Sequence, residues 1–128
     1  PETQVVIPRI KNDLLNVFIK CLDEKINEVD LDIENNFTTT VILAADGYPE
    51  SYKKGDDIRN LEEFSNYKIF HAGTKKENNR ILSNGGRVIA CTGYGESLED
   101  ALKNSYKLAD NISWDNKYFR KDIGEDLK

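Results

Sequence analysis

The stretch Asn84-Gly85-Gly86-Arg87-Val88-Ile89-Ala90-Cys91-Thr92, continued through Gly93-Tyr94-Gly95-Glu96 into Ser97-Leu98-Glu99-Asp100, decides the fold. Val88 to Cys91 is an unbroken apolar run bounded by glycines, the pattern of a strand. Ser97 to Asp100 is a near capping box, in which Ser97 can accept a backbone N–H and the acidic residues favour the positive end of a helix. Behind it Leu98, Ala101, Leu102, Ser105, Leu108, Ala109 and Ile112 recur at three- and four-residue spacing, with Glu99, Lys103 and Lys107 between them. This predicts an amphipathic helix from Ser97 to about Asn111. Upstream, Arg80, Ile81 and Leu82 form a second β run broken at Asn84-Gly85-Gly86, so the two runs are expected to pair as a hairpin.

Thr38 to Ala45 is rich in β-branched residues and predicts a central strand buried on both faces. Asp46-Gly47-Tyr48-Pro49 ends it, and a polar loop runs to about Asp57. Ile58, Leu61 and Phe64 read as a single helical turn, and Lys68 to Ala72 as a further strand with Tyr67, Ile69 and Ala72 as its apolar members. Gly73 to Asn79 reads as a turn. Near the start, Val5 and Ile7 alternate like a strand end. From Asp13 the apolar positions Leu14, Leu15, Phe18, Ile19, Leu22 and Ile26 define an amphipathic helix. Asn27 to Phe37 is acidic, with Val29, Leu31 and Ile33 alternating, and serves as a linker or a charged edge strand at the seam between two units. The tail, with Trp114, Tyr118, Phe119 and Ile123, is expected to run extended and pack back on the body. The class is α+β: a small, mostly antiparallel β-sheet domain with one or two packed helices.

At 128 residues the chain suits one domain. Lys and Arg number 18 against 23 Asp and Glu, a net charge of -5, which disfavours nucleic acid as a partner. Val41 to Ala45 is the longest strictly apolar run, too short to cross a membrane, and no secretory signal opens the chain. Cys21 and Cys91 lie far apart with one histidine in the chain, so no zinc set of Cys and His can be assembled.

No catalytic residue and no metal site is predicted within the chain. His71 alone cannot define a dyad, and neither cysteine has a basic neighbour in sequence to activate it. Asp56-Asp57, Glu62-Glu63 and Glu99-Asp100 read more simply as solvated helix starts than as metal ligands. One constellation stands out. Thr74-Lys75-Lys76 and Asn84-Gly85-Gly86-Arg87 lie on two arms that a hairpin between them could bring together, and backbone N–H groups with a Lys and an Arg suit a phosphate. A glycine turn among ordinary surface charges is the plainer reading of the same residues.

In order along the chain, PETQVVIPR (1–9), ADGYPESYKKG (45–55), IFHAGT (69–74), NGGRVIA (84–90) and FRKDIG (119–124) closely resemble the C-terminal region of the phosphoribosylamine–glycine ligase family, also called glycinamide ribonucleotide synthetases. The resemblance covers essentially the whole chain. It implies an ATP-grasp ligase of de novo purine biosynthesis, cytoplasmic, that joins glycine to 5-phosphoribosylamine through glycyl phosphate. ATP and Mg2+ or Mn2+ would serve the parent enzyme. The family's metal-binding Glu and Asn lie just before the motif in which Pro1 stands, so this chain alone is expected to bind no cofactor and to be inactive.

The same resemblance divides the chain into residues 1–33, the end of an ATP-grasp domain with its last helix, and 34–128, the ligase's C-terminal domain, the whole packing on an ATP-grasp core. The start at Pro1, in mid-motif and without Met, reads as a cut. Glu2, Thr3 and Gln4 match the motif beside the reacting centre and are the implied substrate contacts. The related formate-dependent glycinamide ribonucleotide transformylase holds its substrate phosphate with a Lys and an Arg on the equivalent hairpin. That similarity implies Lys75 and Arg87, helped by the backbone at Gly85 and Gly86, as the grip on the phosphate of 5-phosphoribosylamine. The competing expectation is a noncatalytic module that binds a phosphoribosyl ligand or a protein partner.

Overall fold

In a computed structural model that describes residues 1–62 and 66–127, two long strands carry the architecture. Strand β1 (Phe37–Ala45) and strand β6 (Arg87–Gly95) pair antiparallel from Phe37 opposite Gly95 to Leu43 opposite Ile89. Strand β3 (Tyr67–His71) flanks β6, and the short β7 (Lys117–Tyr118) flanks β1, giving an antiparallel sheet in the order β3-β6-β1-β7. A second antiparallel sheet has the order β2-β5-β4, from β2 (Asp57–Ile58), β4 (Thr74–Glu77) and β5 (Arg80–Ser83). The α+β class read from the sequence therefore holds.

Alternation sorts the long ladder into two faces. Thr39, Val41 and Leu43 of β1 and Ile89 and Cys91 of β6 are buried on one face. Helix α3 (Leu98–Asn111) covers it with Ala101, Leu102, Ser105, Leu108 and Ala109. Ser97 caps α3 as expected, its Oγ accepting from the Asp100 N–H at 3.1 Å. Ser105 sits against the sheet with its Oγ 2.8 Å from that of Thr39. At the other end Lys117 donates from Nζ to the carbonyl of Ala109 at 2.6 Å and to that of Ile112, satisfying helix-terminal acceptors. Burial lowers the Lys117 pKa, and the Asp110 carboxylate opposes it. Trp114 and Phe119 of the tail are buried in the same core, as expected, while Tyr118 stays exposed.

The opposite face carries Thr38, Thr40, Ile42, Ala90 and Thr92, and over it lies helix α1 (Glu2–Val6). The first residues are thus helical, not the strand end read from Val5 and Ile7; the strand hydroxyls beneath hold the helical carbonyls. Because α1 is short, Thr38, Thr40 and Ile42 are only half-buried, so β1 is central yet not buried on both faces. Helix α2 (Leu14–Leu22) is capped by Asp13, whose Oδ1 accepts from the Leu15 N–H at 2.8 Å. It ends at Leu22, short of the expected Ile26, which falls in a separate 3-10 turn. None of its residues is buried: Leu15 is 67% and Leu22 84% exposed. Asn27 to Phe37 is a connecting segment with a single bridge, Ile33 to Ile10, in place of an edge strand.

Three further expectations are corrected. Ile58 belongs to β2 and Arg59 bridges Ser113, so no helical turn starts there; Phe64, its third member, lies outside the described residues. Gly73 to Asn79 is not one turn, because Thr74–Glu77 forms β4 and only Asn78 and Asn79, both at positive φ, reverse the chain. Consequently β5 pairs with β4 and not with β6: the Asn-Asn turn closes the hairpin one element earlier than Asn84-Gly85-Gly86 would have. That glycine pair instead lets the chain pass from one sheet to the other.

Helix and sheet approach closely at Gly93, where a Cβ would fall on the backbone nitrogen of Ser105 and the carbonyl of Ala101. Gly93→Ala is therefore expected to destabilise the fold by about 2 kcal/mol through overpacking against backbone. Thermal unfolding checks this, and an unchanged Tm contradicts it.

Candidate functional site

Ala45, Asp46 and Gly47 lead β1 into a turn that puts the Tyr48 ring against Gly86, where any side chain would strike it. On the neighbouring strand the register slips. Leu43 faces Ile89, but Ala44 faces Arg87, so β6 carries one extra residue at Val88. A slip of one residue moves a side chain to the opposite face of a sheet. In regular alternation Arg87 would share the α3 face with Ile89 and Cys91; the bulge turns it to the face that carries Ile42, beneath α1.

Around it lies a cleft of about 570 Å³, lined by Thr3 and Gln4 of α1, Ile42 of β1, Ala72 and Gly73 after β3, Tyr48, and Arg87. Three of the sequence-predicted residues, Thr3, Gln4 and Arg87, thus line one cleft, while Gly85 and Gly86 lie outside its lining. Among the described residues Arg87 forms no salt bridge and no side-chain hydrogen bond, which leaves a guanidinium open to an anion. Glu2 is exposed and does not line the cleft. Its carboxyl is held below the usual carboxylate range, chiefly by a backbone hydrogen bond, then by the Pro1 amino group, with Arg87 adding a smaller pull.

Gly85 and Gly86 are used for close approach. A Cβ on Gly85 would come 2.9 Å from the Gly73 Cα, and the Asn84 N–H donates to the Gly73 carbonyl at 2.7 Å. The β4–β5 hairpin therefore does join the two arms expected from the sequence, Thr74 facing Ser83. Lys75, however, lies on β4 in the smaller sheet, outside the cleft lining, with Nζ 2.7 Å from Glu77. The hydrogen bond from Lys75 is the main reason the Glu77 pKa is lowered. His71 places Nδ1 3.0 Å from the Thr74 hydroxyl and closes the β3–β4 turn.

Tyr48, Ile42 and Ala72 were missed as site residues. ADGYP (45–49) was already a recognisable motif, but only the fold shows that its tyrosine borders the cleft. A larger hollow of about 660 Å³ lies near the end of α3 between Tyr67 and Lys107, with none of the motif residues that converge on Arg87. Among the described residues no three His, Cys, Asp or Glu side chains cluster as a metal site would require.

With this geometry in view, residues 38–126 match the family model described as "Phosphoribosylglycinamide synthetase, C domain". A bifunctional purine biosynthetic protein of Dictyostelium discoideum is 46% identical over 98% of this chain and 16% of its own length. A phosphoribosylamine–glycine ligase of Fusobacterium nucleatum is 43% identical over 97% of this chain and 30% of its own. The crystal structure of phosphoribosylamine–glycine ligase from Thermotoga maritima superposes with a TM-score of 0.75 at 32% identity, over 95% of this chain and 30% of that one. The chain thus spans less than a third of the length of these relatives.

The two thiols differ sharply. Cys21 is exposed on α2, whereas Cys91 is buried under α3 and burial pushes its pKa up to about 12. Alkylation of the native chain in mildly alkaline buffer is expected to label Cys21 and spare Cys91 until denaturant is added. Mass spectrometry of the peptides reads this, and native labelling at Cys91 would contradict the buried thiol.

Proposed function

The chain belongs to the phosphoribosylglycinamide synthetase C-domain family, and on that premise we propose that it supplies the C-terminal part of an ATP-dependent ligase joining glycine to 5-phosphoribosylamine to form glycinamide ribonucleotide. The observation that carries this reading is the bulge at Val88, which delivers an unpaired Arg87 into the cleft walled by Thr3 and Gln4. A guanidinium in a concave site with nearby backbone suits the dianionic phosphate of the amine substrate. Thr3 and Gln4 stand on the opposite wall and would meet the ribosyl end, with Glu2 beside them outside the lining. Gly85, Gly86 and Lys75, also expected to hold the phosphate, lie outside the cleft lining, with Lys75 paired to Glu77, so the grip in this reading rests on Arg87.

ATP, with Mg2+ or Mn2+ to offset its phosphate charge, belongs in this proposal to the remainder of the protein. No chemical step is assigned to this chain. Its contribution is to bind and orient, and alone it is inactive. Residues 1–33 end the ATP-grasp domain and 34–128 form the closing domain, in keeping with a family match that begins at residue 38. The bare apolar face of α2, with Leu15, Phe18 and Leu22, packs on the ATP-grasp core in the intact, cytoplasmic enzyme.

Arg87→Ala in the full-length ligase tests the assignment. Loss of a charge-assisted contact worth about 1.5–3 kcal/mol is expected to raise KM for 5-phosphoribosylamine roughly tenfold or more, with Tm unchanged. Lys75→Ala is expected to raise it far less, because its ion pair is solvent-exposed. An unchanged KM in Arg87→Ala overturns the phosphate grip.

A further inference from the structure

Helix α1 has five residues, no buried side chain and no side-chain cap at its start. A helix that short does not hold itself in water. What holds it is the sheet. The Gln4 carbonyl accepts from the Thr92 hydroxyl at 2.9 Å, the Thr40 hydroxyl lies 2.7 Å from that of Thr92 and 3.3 Å from the same carbonyl, and the Val5 carbonyl accepts from Thr38 at 2.8 Å. Each hydroxyl has one proton to give. The shorter bond to the Gln4 carbonyl is that of Thr92, and when Thr92 gives its proton there, Thr40 supplies the one between the two threonines. Thr92 is fully buried, and its alternative partner is therefore not water.

We propose that the Thr92 hydroxyl, backed by Thr40, is a positioning group for substrate: it fixes the Gln4 wall of the cleft against the Arg87 wall. This rests on the function proposed above. The geometry is direct, because Thr92 and Arg87 sit on one strand, while Gln4 belongs to an element that touches the strand through these hydroxyls. Cutting the bond frees α1 to move while Arg87 stays in place, so the gap that receives the substrate is no longer set. Valine keeps the β-branched shape of threonine and all backbone bonds of the ladder, and removes only the hydroxyl.

The test is kinetic, in the full-length ligase, with Thr92→Val, Thr92→Ser and Arg87→Ala compared. Thr92→Val is expected to raise KM for 5-phosphoribosylamine about tenfold, the fold-change of one lost buried hydrogen bond, with KM for ATP unchanged. Thr92→Ser keeps the hydroxyl and is expected to restore the wild-type value, although it removes a buried methyl. A role confined to stability would do the reverse: both variants would lose Tm, serine the more, and neither would move KM. If Thr92→Val does not fold, Thr38→Val at the half-buried rim replaces it and must raise the same KM. An unchanged KM in the folded variant, with Arg87→Ala still impaired, overturns the positioning role and leaves the phosphate grip standing. Unchanged KM in all of them overturns both.

Discussion

Everything in this chain leans on the antiparallel ladder between β1 and β6, which joins residues about fifty positions apart in sequence. Closing that loop is costly in chain entropy, though the cost grows only slowly with length. The return comes from the face that β1 and β6 make together. Val41, Leu43, Ile89 and Cys91 are each fully buried under α3, and at about 25 cal/mol per Å² of apolar surface such side chains supply the main driving force. Gly93 and Ser105 let the helix lie close enough for that face to be dry.

The same ladder builds the other face from different chemistry. Thr38, Thr40 and Thr92 present hydroxyls where the first face presents hydrocarbon, and a hydroxyl row grips backbone carbonyls in a way that hydrocarbon cannot. A five-residue helix can thus be held in one orientation without a core of its own. The bulge at Val88 then breaks the alternation at one point, and Arg87 emerges among these polar groups. Apolar stability and polar recognition are assigned to opposite sides of a sheet one strand thick.

How much of this was legible depends on the range of the interaction. Helix α3 could be read to its ends because Ser97, the apolar stripe and Ile112 are local signals. Helix α2 was equally plain from Asp13 onward, although sequence alone did not show that Leu15 and Leu22 would be bare. The long strands were legible, but β2 and β4 read as turns and the pairing of β5 was misplaced: Asn78-Asn79 competes with Asn84-Gly85-Gly86 as a turn, and only the positive φ values at the asparagines decide which closes the hairpin. Val5 and Ile7 alternate like a strand, and tertiary hydroxyls over thirty residues away made that segment helical. Within the site, Arg87 was singled out beside a glycine pair, but the face it occupies is set by a one-residue slip that leaves no composition signature. Lys75 looked equivalent to Arg87 on the chain and is separated from it by membership of a different sheet.

A guanidinium in a cleft contributes binding energy to an anion. On the proposed reading that is what the substrate asks for. The phosphate of 5-phosphoribosylamine is the part that does not react, and the amine is at the far end of the sugar. Binding energy from a remote, unreacting group lowers a barrier only if it is converted into orientation at the reacting end. That conversion needs a rigid link between the residue holding the phosphate and the wall along which the rest of the substrate lies. In this chain the link is short and named: Arg87 on β6, Thr92 five positions further along the same strand, and the carbonyl of Gln4.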